Sequence, residues 1–165
     1  MTTRLAGLVV GVLFTVAFGG PAAAQSRAAG LGVLAAVTAT DVVRLLAESG
    51  IKGAVAGRDQ VGDPLVTYKL GGRTVRVYFY DCANATCRGL QLSAGFAFEP
   101  RPTLVAVNRF NRAHRYGRVY LDEEGDPILE SDLGLDGGVT GSSIKEWAGT
   151  FAMLLDDFLN EFKVR

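Results

Sequence analysis

The sequence has little of the chemistry by which enzymes and metal sites are usually recognised. It contains one histidine and two cysteines in 165 residues, whereas a structural zinc ion needs about four nitrogen or sulfur ligands. Its 17 basic residues are balanced by 17 acidic residues, so no excess charge favours nucleic acid or an anionic membrane surface as a partner. The composition therefore predicts no metal, no cofactor and no nucleic-acid partner.

Long hydrophobic runs are also missing, except at the N terminus. There an apolar run over residues 5–18 follows Arg4 and ends at Gly19-Gly20-Pro21, with Ala22-Ala23-Ala24 beyond it. This is the pattern of a secretory signal peptide, and the run is shorter than the roughly 20 residues that a spanning helix needs. We predict a cleaved signal peptide over residues 1–24 and a periplasmic or secreted protein without a membrane span. Retention of the segment as an anchor is the alternative.

The only two cysteines lie close together behind this export signal, which indicates an oxidising compartment. The alternating runs 73–80 and 90–98 on either side of Cys82 and Cys87 predict half-buried strands. The cysteines therefore lie at the ends of a connection between strands, and we predict a Cys82–Cys87 disulfide. A redox-active pair is the alternative, although such pairs usually have the closer Cys-x-x-Cys spacing.

Helix and strand signals predict one domain over residues 38–165, preceded by a flexible arm over 25–37 with a possible short strand. Runs of strands between helices indicate an α+β fold, with an antiparallel sheet and helices packed on it. The expected order is α-β-β-β(-β)-α-β-β-α. The helices run from Thr38 or Thr40 to Ser49, from Pro100-Pro102 to about His114, and from Ser143 onward, and the strands lie within 53–60, 65–70, 73–80, 90–98, 116–121 and 128–133.

The final helix carries a long apolar stripe, with further apolar residues beside it. Ser143 and Glu146 have capping-box spacing at its start. The stripe is wide enough to cover the sheet, whereas Ala148, Met153 and Leu159 fall outside its centre. Because monomers rarely leave such surface exposed, we predict a homodimer with Leu159 in contact with the partner. The stripe comprises Ile144, Trp147, Phe151, Leu154, Leu155, Phe158 and Phe162.

Two groups of polar residues are candidates for a site. Asn108 and Asn111 lie three apart on the second helix and so share a face, where they could bind a peptide backbone or a nearby loop. Asp122, Glu124 and Asp126 have the 1-3-5 spacing of a calcium loop, but a proline follows where such loops have glycine. We interpret the acidic group as a solvated turn and the asparagines as possible partner-binding residues.

No catalytic residue can be assigned from the pattern. His114 lies near a helix end, and no serine or cysteine nucleophile can be tied to it from the sequence. Gly137-Gly138 precedes a helix but lacks the longer glycine pattern of a phosphate-binding loop. We therefore predict that the protein is not an enzyme.

With these elements in place, the sequence resembles the YbjN family over about residues 38–163. No single pattern is specific, but three local patterns occur together. They are 77–82 with Cys87 and 90–96, then 107–111 leading into 117–122, and 130–133 before 137–140 and the aromatic final helix.

The resemblance implies a bacterial protein related to sensory transduction regulators, with a fold similar to type III secretion chaperones. Such chaperones are small α+β domains that bind other polypeptides and often pair as dimers. The family pattern names no catalytic residue, so none is carried over. We expect a non-enzymatic, chaperone-like binding or regulatory module with a protein or peptide partner, acting in envelope stress or sensory signalling. A sensor that binds a small ligand between helix and sheet is the alternative.

Overall fold

The computed structural model describes residues 32–97 and 99–162. Three helices and eight strands follow one another along the chain. The elements are β1 (Val33–Leu34), α1 (Ala39–Glu48), β2 (Val55–Arg58), β3 (Pro64–Leu70), β4 (Arg73–Ala83), β5 (Thr86–Gly95), α2 (Leu104–Ala113), β6 (Arg118–Leu121), β7 (Pro127–Gly134), β8 (Val139–Thr140) and α3 (Gly141–Glu161).

Six of the strands form one antiparallel sheet in the order β2-β3-β4-β5-β7-β6, and β1 and β8 form a separate two-stranded pair. The predicted α+β class, with helices packed on an antiparallel sheet, is confirmed. The sheet order departs from the chain order only at its end, because β7 lies between β5 and β6. The hairpin β6–β7 therefore joins the sheet through its second strand.

Alternation of apolar and polar residues gives the sheet a buried face and an open face. In β4 the side chains of Val75, Val77 and Phe79 are buried, whereas the residues between them point to the other face. Gly71 and Gly72 turn the chain from β3 into β4 with φ of 54° and 79°, as a two-residue hairpin turn requires. The buried side chains and the apolar sides of the helices form one core.

The N-terminal segment is less loose than predicted. β1 supplies the possible short strand, and Val37 is only 1% exposed and exchanges two backbone hydrogen bonds with Cys87 (3.0 and 2.8 Å). Residues 33–37 of the predicted arm are therefore paired with the rest of the domain, through β8 and Cys87. The rest of the arm, the predicted signal peptide and Phe98 lie outside the described residues.

Threonine caps begin all three helices. Thr38 forms a capping box with Asp41, so Thr38 rather than Thr40 begins α1. For α3 the predicted cap at Ser143 is wrong: the N-cap is Thr140, whose Oγ1 accepts a hydrogen bond from Ser143 N at 3.1 Å. The shift arises because Thr140 ends β8 in extended backbone (φ −88°, ψ 158°), the conformation that an N-cap adopts.

The apolar residues beside the α3 stripe do not form a second exposed side. Ala148 is fully buried, and Leu159 is half-buried and packs against the core. Only Met153 is strongly exposed, at 64%. The helix thus turns more of its circumference inward than the stripe alone suggested, and the contact of Leu159 with a partner stays a prediction. The homodimer stays a prediction.

Candidate functional site

A hydrogen-bonded network spans β5, β7 and β6 on the open face of the sheet. Gln91 Nε2 donates to Asp132 Oδ1 at 2.8 Å, across the pair of strands in which these residues are register partners. Arg118 donates to Glu130 at 2.9 Å and to Asp132 at 3.0 Å, and Tyr120 Oη donates to Glu130 at 2.9 Å. Glu130 is thus a buried carboxylate with several donors around it, as burial of a charge requires.

This environment raises the pKa of three of the hydrogen-bond donors. Burial, followed by the hydrogen bond to Glu130, raises the pKa of Tyr120 to about 12. The hydrogen bond to Glu130 also raises the pKa of Arg118. Burial and then the charges of Glu130 and Asp132 raise the pKa of Tyr80, whose hydroxyl donates to Gln91 Oε1 at 3.0 Å. The network therefore ties four strands, β4 to β7, together.

The outer edge of β6 is closed by Asn111. Asn111 Nδ2 donates to Val119 O at 2.9 Å, and Val119 N donates to Asn111 Oδ1 at 2.8 Å. Because successive residues of a strand point their backbone groups to opposite sides, Val119 carries the outward pair of β6. The side-chain amide takes the place of a neighbouring strand there. Asn111 therefore closes this edge within the chain, and its role as a partner-binding residue stays a prediction.

The second half of β7, beyond Glu130, has no partner strand among the described residues on the edge where β6 pairs with the first half. The ladder between β6 and β7 ends at the pair Arg118↔Glu130, whereas β7 continues to Gly134. Leu135 N donates to Arg88 O on β5, so by alternation Asp132 and Gly134 point their N–H and C=O groups away from β5. Among the described residues, no strand pairs with that side of β7 beyond Glu130.

A cleft of about 380 Å³ lies beside this open edge, between β7 and α3. It combines backbone at the strand edge with two aromatic side chains and acidic residues. Its lining residues are Tyr116, Ser131, Asp132, Leu133, Ser143, Glu146, Trp147 and Thr150.

A chain of hydrogen bonds fixes the walls of the cleft relative to one another. Trp147 Nε1 on α3 donates to Ser131 Oγ at 3.0 Å, and Ser131 Oγ donates to Tyr116 O at 2.6 Å. Tyr116 has a φ of +67°, a left-handed conformation that is uncommon for a residue other than glycine. A Cβ at the next residue, Gly117, would lie 2.9 Å from Glu130 O. The close approach of this turn to β7 ends the β6 ladder and places Tyr116, 75% exposed, at the mouth of the cleft.

Comparison with protein families places the chain in one of them. The YbjN family model, described as "Putative bacterial sensory transduction regulator", matches residues 38–164. The chain belongs to the YbjN family. This confirms the resemblance drawn from the sequence patterns. A comparison with curated protein sequences finds no match.

The fold of this YbjN domain is also similar to a solved type III secretion chaperone. The crystal structure of Yersinia pestis SycH in complex with a stable fragment of YscM2 aligns with a TM-score of 0.51 at 15% sequence identity. The alignment covers 74% of this chain and 98% of the chaperone chain. At this identity the likeness concerns the fold alone, and it confirms the predicted chaperone-like architecture.

The predicted disulfide is present in the YbjN domain. Cys82 and Cys87 are bonded, and they lie opposite each other within the β4–β5 ladder rather than at the ends of a connection. The ladder continues past them to Ala83 and Thr86. The bridge therefore fastens the end of a hairpin, and Cys87 also carries the two backbone bonds to Val37.

The other polar candidates have structural partners or lie apart from the cleft. The His114 ring stacks on Phe110 with centroids 4.0 Å apart, and its Nε2 lies 3.6 Å from Asp157. Asp122 Oδ1 accepts a hydrogen bond from Asp126 N at 2.8 Å within the hairpin turn. Asn108 is exposed on α2. In the ranges 32–97 and 99–162, no three His, Cys, Asp or Glu side chains are grouped as ligands for a metal ion.

The helices between residues 32 and 162 lack the combination of length and hydrophobicity that a membrane-spanning segment requires. The predicted signal segment lies outside that part of the chain.

Proposed function

We propose that this YbjN-family protein is a non-enzymatic module of the bacterial envelope that binds extended segments of other polypeptides. The observation that carries the proposal is the open edge of β7 from Asp132 to Gly134, which borders a cleft. A bound segment would add a strand there. Its main chain would pair with the outward backbone groups of β7, and its alternate side chains would enter the cleft.

The family and the fold support a binding or regulatory role rather than a catalytic one. The family description is that of a sensory transduction regulator, and the similar chaperone was solved in complex with a fragment of a second protein. Neither names a reaction, and the hydrogen-bonded network holds strands together rather than reactive groups. The proposed role is control of a partner in envelope stress or sensory signalling.

Export to the periplasm or the medium is part of the proposal. Residues 1–24 carry a signal-peptide pattern. The Cys82–Cys87 disulfide is in keeping with an oxidising compartment. Expression with the native N terminus, followed by fractionation and intact mass measurement, tests both: a mature chain starting at Gln25 is expected in the envelope fraction. Recovery of the uncleaved chain in the cytoplasm would refute it.

An array of overlapping peptides, probed with the mature protein, tests the binding function. For each bound peptide we expect single backbone N-methylations to abolish binding at alternate positions, because strand addition uses every second N–H group. Gly134→Pro removes an outward N–H from the β7 edge and should reduce binding at least tenfold. Gly134→Ala is the matched control, since a Cβ at this position meets nothing within 4 Å. Equal binding by Gly134→Pro and Gly134→Ala would refute strand addition at this edge.

A small-ligand sensor is the second candidate function. The cleft lies between a helix and the sheet, as this candidate function requires, and its volume of about 380 Å³ lies in the range of ligand sites. A thermal-shift screen of the mature protein against metabolites distinguishes the two. A saturable stabilisation by a small molecule, with no peptide bound by the array, would favour the sensor.

The proposed homodimer is tested by light scattering of the mature protein at micromolar concentration. Met153 is the strongly exposed apolar residue on the described part of α3, so Met153→Lys should yield monomers if α3 lies in the interface. A monomer mass for the unchanged protein would refute the dimer.

A further inference from the structure

We propose that the cleft beside β7 selects an arginine side chain in the bound segment. The inference rests on the proposed peptide-binding function and concerns the residue that is recognised. The cleft joins two aromatic side chains to an acidic residue that has no cationic partner in the described part of the chain. A guanidinium group can stack on the aromatic rings and pair with the carboxylate.

The aromatic residues provide surfaces on which a planar cation can stack. Tyr116 is exposed at the mouth, and Trp147 is half-buried in the wall. The indole N–H of Trp147 already donates to Ser131 Oγ, so what Trp147 offers a ligand is its ring rather than a donor. Arginine stacks on aromatic rings and is more weakly hydrated than lysine.

The charge of the cleft comes from Glu146. This residue is exposed on α3, and no hydrogen bond or ion pair to it is seen in the described part of the chain. The other acidic lining residue, Asp132, directs its carboxylate to Gln91 and Arg118 on the open face of the sheet. Glu146 is therefore the carboxylate left to pair with a ligand.

Within residues 32–97 and 99–162, no basic side chain lines the cleft to compete for Glu146. The nearest in sequence, Lys145, pairs with Glu48 at 3.3 Å on another side of α3. Arg118, which lies near the edge, is held by Glu130 and Asp132. The start of α3 offers little attraction for an anion at Ser143, because Ser143 N already donates to Thr140. The cleft thus favours a cation.

The sole tryptophan of the chain is Trp147, so its fluorescence reports on this cleft directly. The first probe is Nα-acetyl-arginine methylamide, which can enter the cleft without pairing along β7. Its neutral isostere, the citrulline derivative, is the matched ligand. We expect a saturable fluorescence change with the arginine compound at millimolar concentration and at least fivefold weaker binding of the citrulline compound.

Three variants test whether the effect arises in the cleft. Glu146→Gln should remove the preference for arginine over citrulline, whereas Glu124→Gln, an exposed acidic residue on the β6–β7 turn, should retain it. Tyr116→Asn, which suits the left-handed backbone, should weaken arginine binding severalfold and keep the fluorescent probe. Unchanged melting temperatures in all three variants establish that the fold is intact.

The second probe is a set of strand-forming octapeptides that differ at one central position, which is Arg, citrulline or norleucine. Arginine should bind five- to tenfold more tightly than either. If all three bind equally and remain sensitive to Gly134→Pro, the proposed function stands and arginine selection is wrong. If no octapeptide binds while the arginine compound does, peptide binding at the edge fails and the cation site stands. Equal fluorescence responses to the arginine and citrulline compounds would overturn the inference.

Discussion

The two halves of β7 belong to one strand, and both pair with β5, but their other edges differ. From Pro127 to Glu130 the strand is covered by β6, and β6 is in turn closed by the side chain of Asn111. From Ser131 to Gly134 no described strand pairs with the side of β7 opposite β5, and this side borders a cleft lined by Tyr116 and Trp147. Proteins usually protect exposed sheet edges, so an edge that is closed in one half and open in the other indicates a use for the open half.

The difference separates residues that hold the fold from residues available to a partner. In the closed half, each polar group described above has a partner within the chain. In the open half, the backbone of Asp132 and Gly134 and the carboxylate of Glu146 face outward. Substitutions in the closed half should therefore reduce stability, whereas substitutions in the open half should reduce binding alone.

The largest expected effect on stability is that of Phe158→Ala. Phe158 lies beneath the closed half and is fully buried, with its ring 4.9 to 6.0 Å from the rings of Phe96, Phe110 and Phe162. Its truncation should lower the free energy of unfolding by about 3–5 kcal/mol. Urea denaturation measures this, and a loss below about 1 kcal/mol, typical of a surface substitution, would mean that α3 does not carry the core.

Removal of the disulfide should have a smaller effect and leave the cleft unchanged. The bridge closes a loop with a sequence separation of 5, for which chain entropy predicts a loss of about 2 kcal/mol. Urea denaturation of the Cys82→Ala, Cys87→Ala double variant measures the loss, and its arginine-dependent fluorescence should match that of the parent. A changed fluorescence response would show that the hairpin and the cleft are coupled.

Asn111→Ala should lower the free energy of unfolding about as much as loss of the disulfide, because Asn111 closes the outer edge of β6. Asn111→Ala leaves the backbone N–H and C=O of Val119 without their partner, at a cost of about 1–2 kcal/mol for a site that water reaches in part. Asn108→Ala, exposed three residues earlier on α2, is the matched control and should stay within about 0.5 kcal/mol of the parent. Equal stabilities for the two variants would refute the closing role of Asn111.

Strands in which apolar and polar residues alternate over many positions could be predicted from the sequence. Very short strands, and features that depend on how distant elements pack, could not. β3, β4 and β5 were predicted because apolar residues repeat every second position, as at Val75, Val77 and Phe79. β1 and β8 contain two residues each, which is too short for a period to show.

The open edge was missed for a related reason. The two strands of the last hairpin were predicted with equal lengths, whereas β6 has 4 residues and β7 has 8. The ladder ends where Tyr116 takes a positive φ, and the sequence hint for that turn was the Tyr116-Gly117 pair. Trp147 was assigned to the core because its spacing fits the stripe. Its bond to Ser131 depends on how α3 lies over β7, which no local pattern encodes.

The smallest expected effect on stability is that of Glu146→Gln, on α3 beside the open half of β7. The exposed carboxylate has no partner within the described residues, so the free energy of unfolding should change by less than about 0.5 kcal/mol. A loss above about 1 kcal/mol would mean that Glu146 belongs to the fold, and the comparison between the two halves would fail.

Amide hydrogen exchange, resolved by residue with NMR, tests the central claim most directly. On addition of a peptide bound in the array, the amides of Asp132 and Gly134 should exchange more slowly, because strand addition gives them acceptors. The amide of Val119 should be unchanged, because Asn111 already accepts from it. Slower exchange along β2 (Val55–Arg58), at the opposite edge of the sheet, with no change at Asp132 and Gly134, would contradict the account.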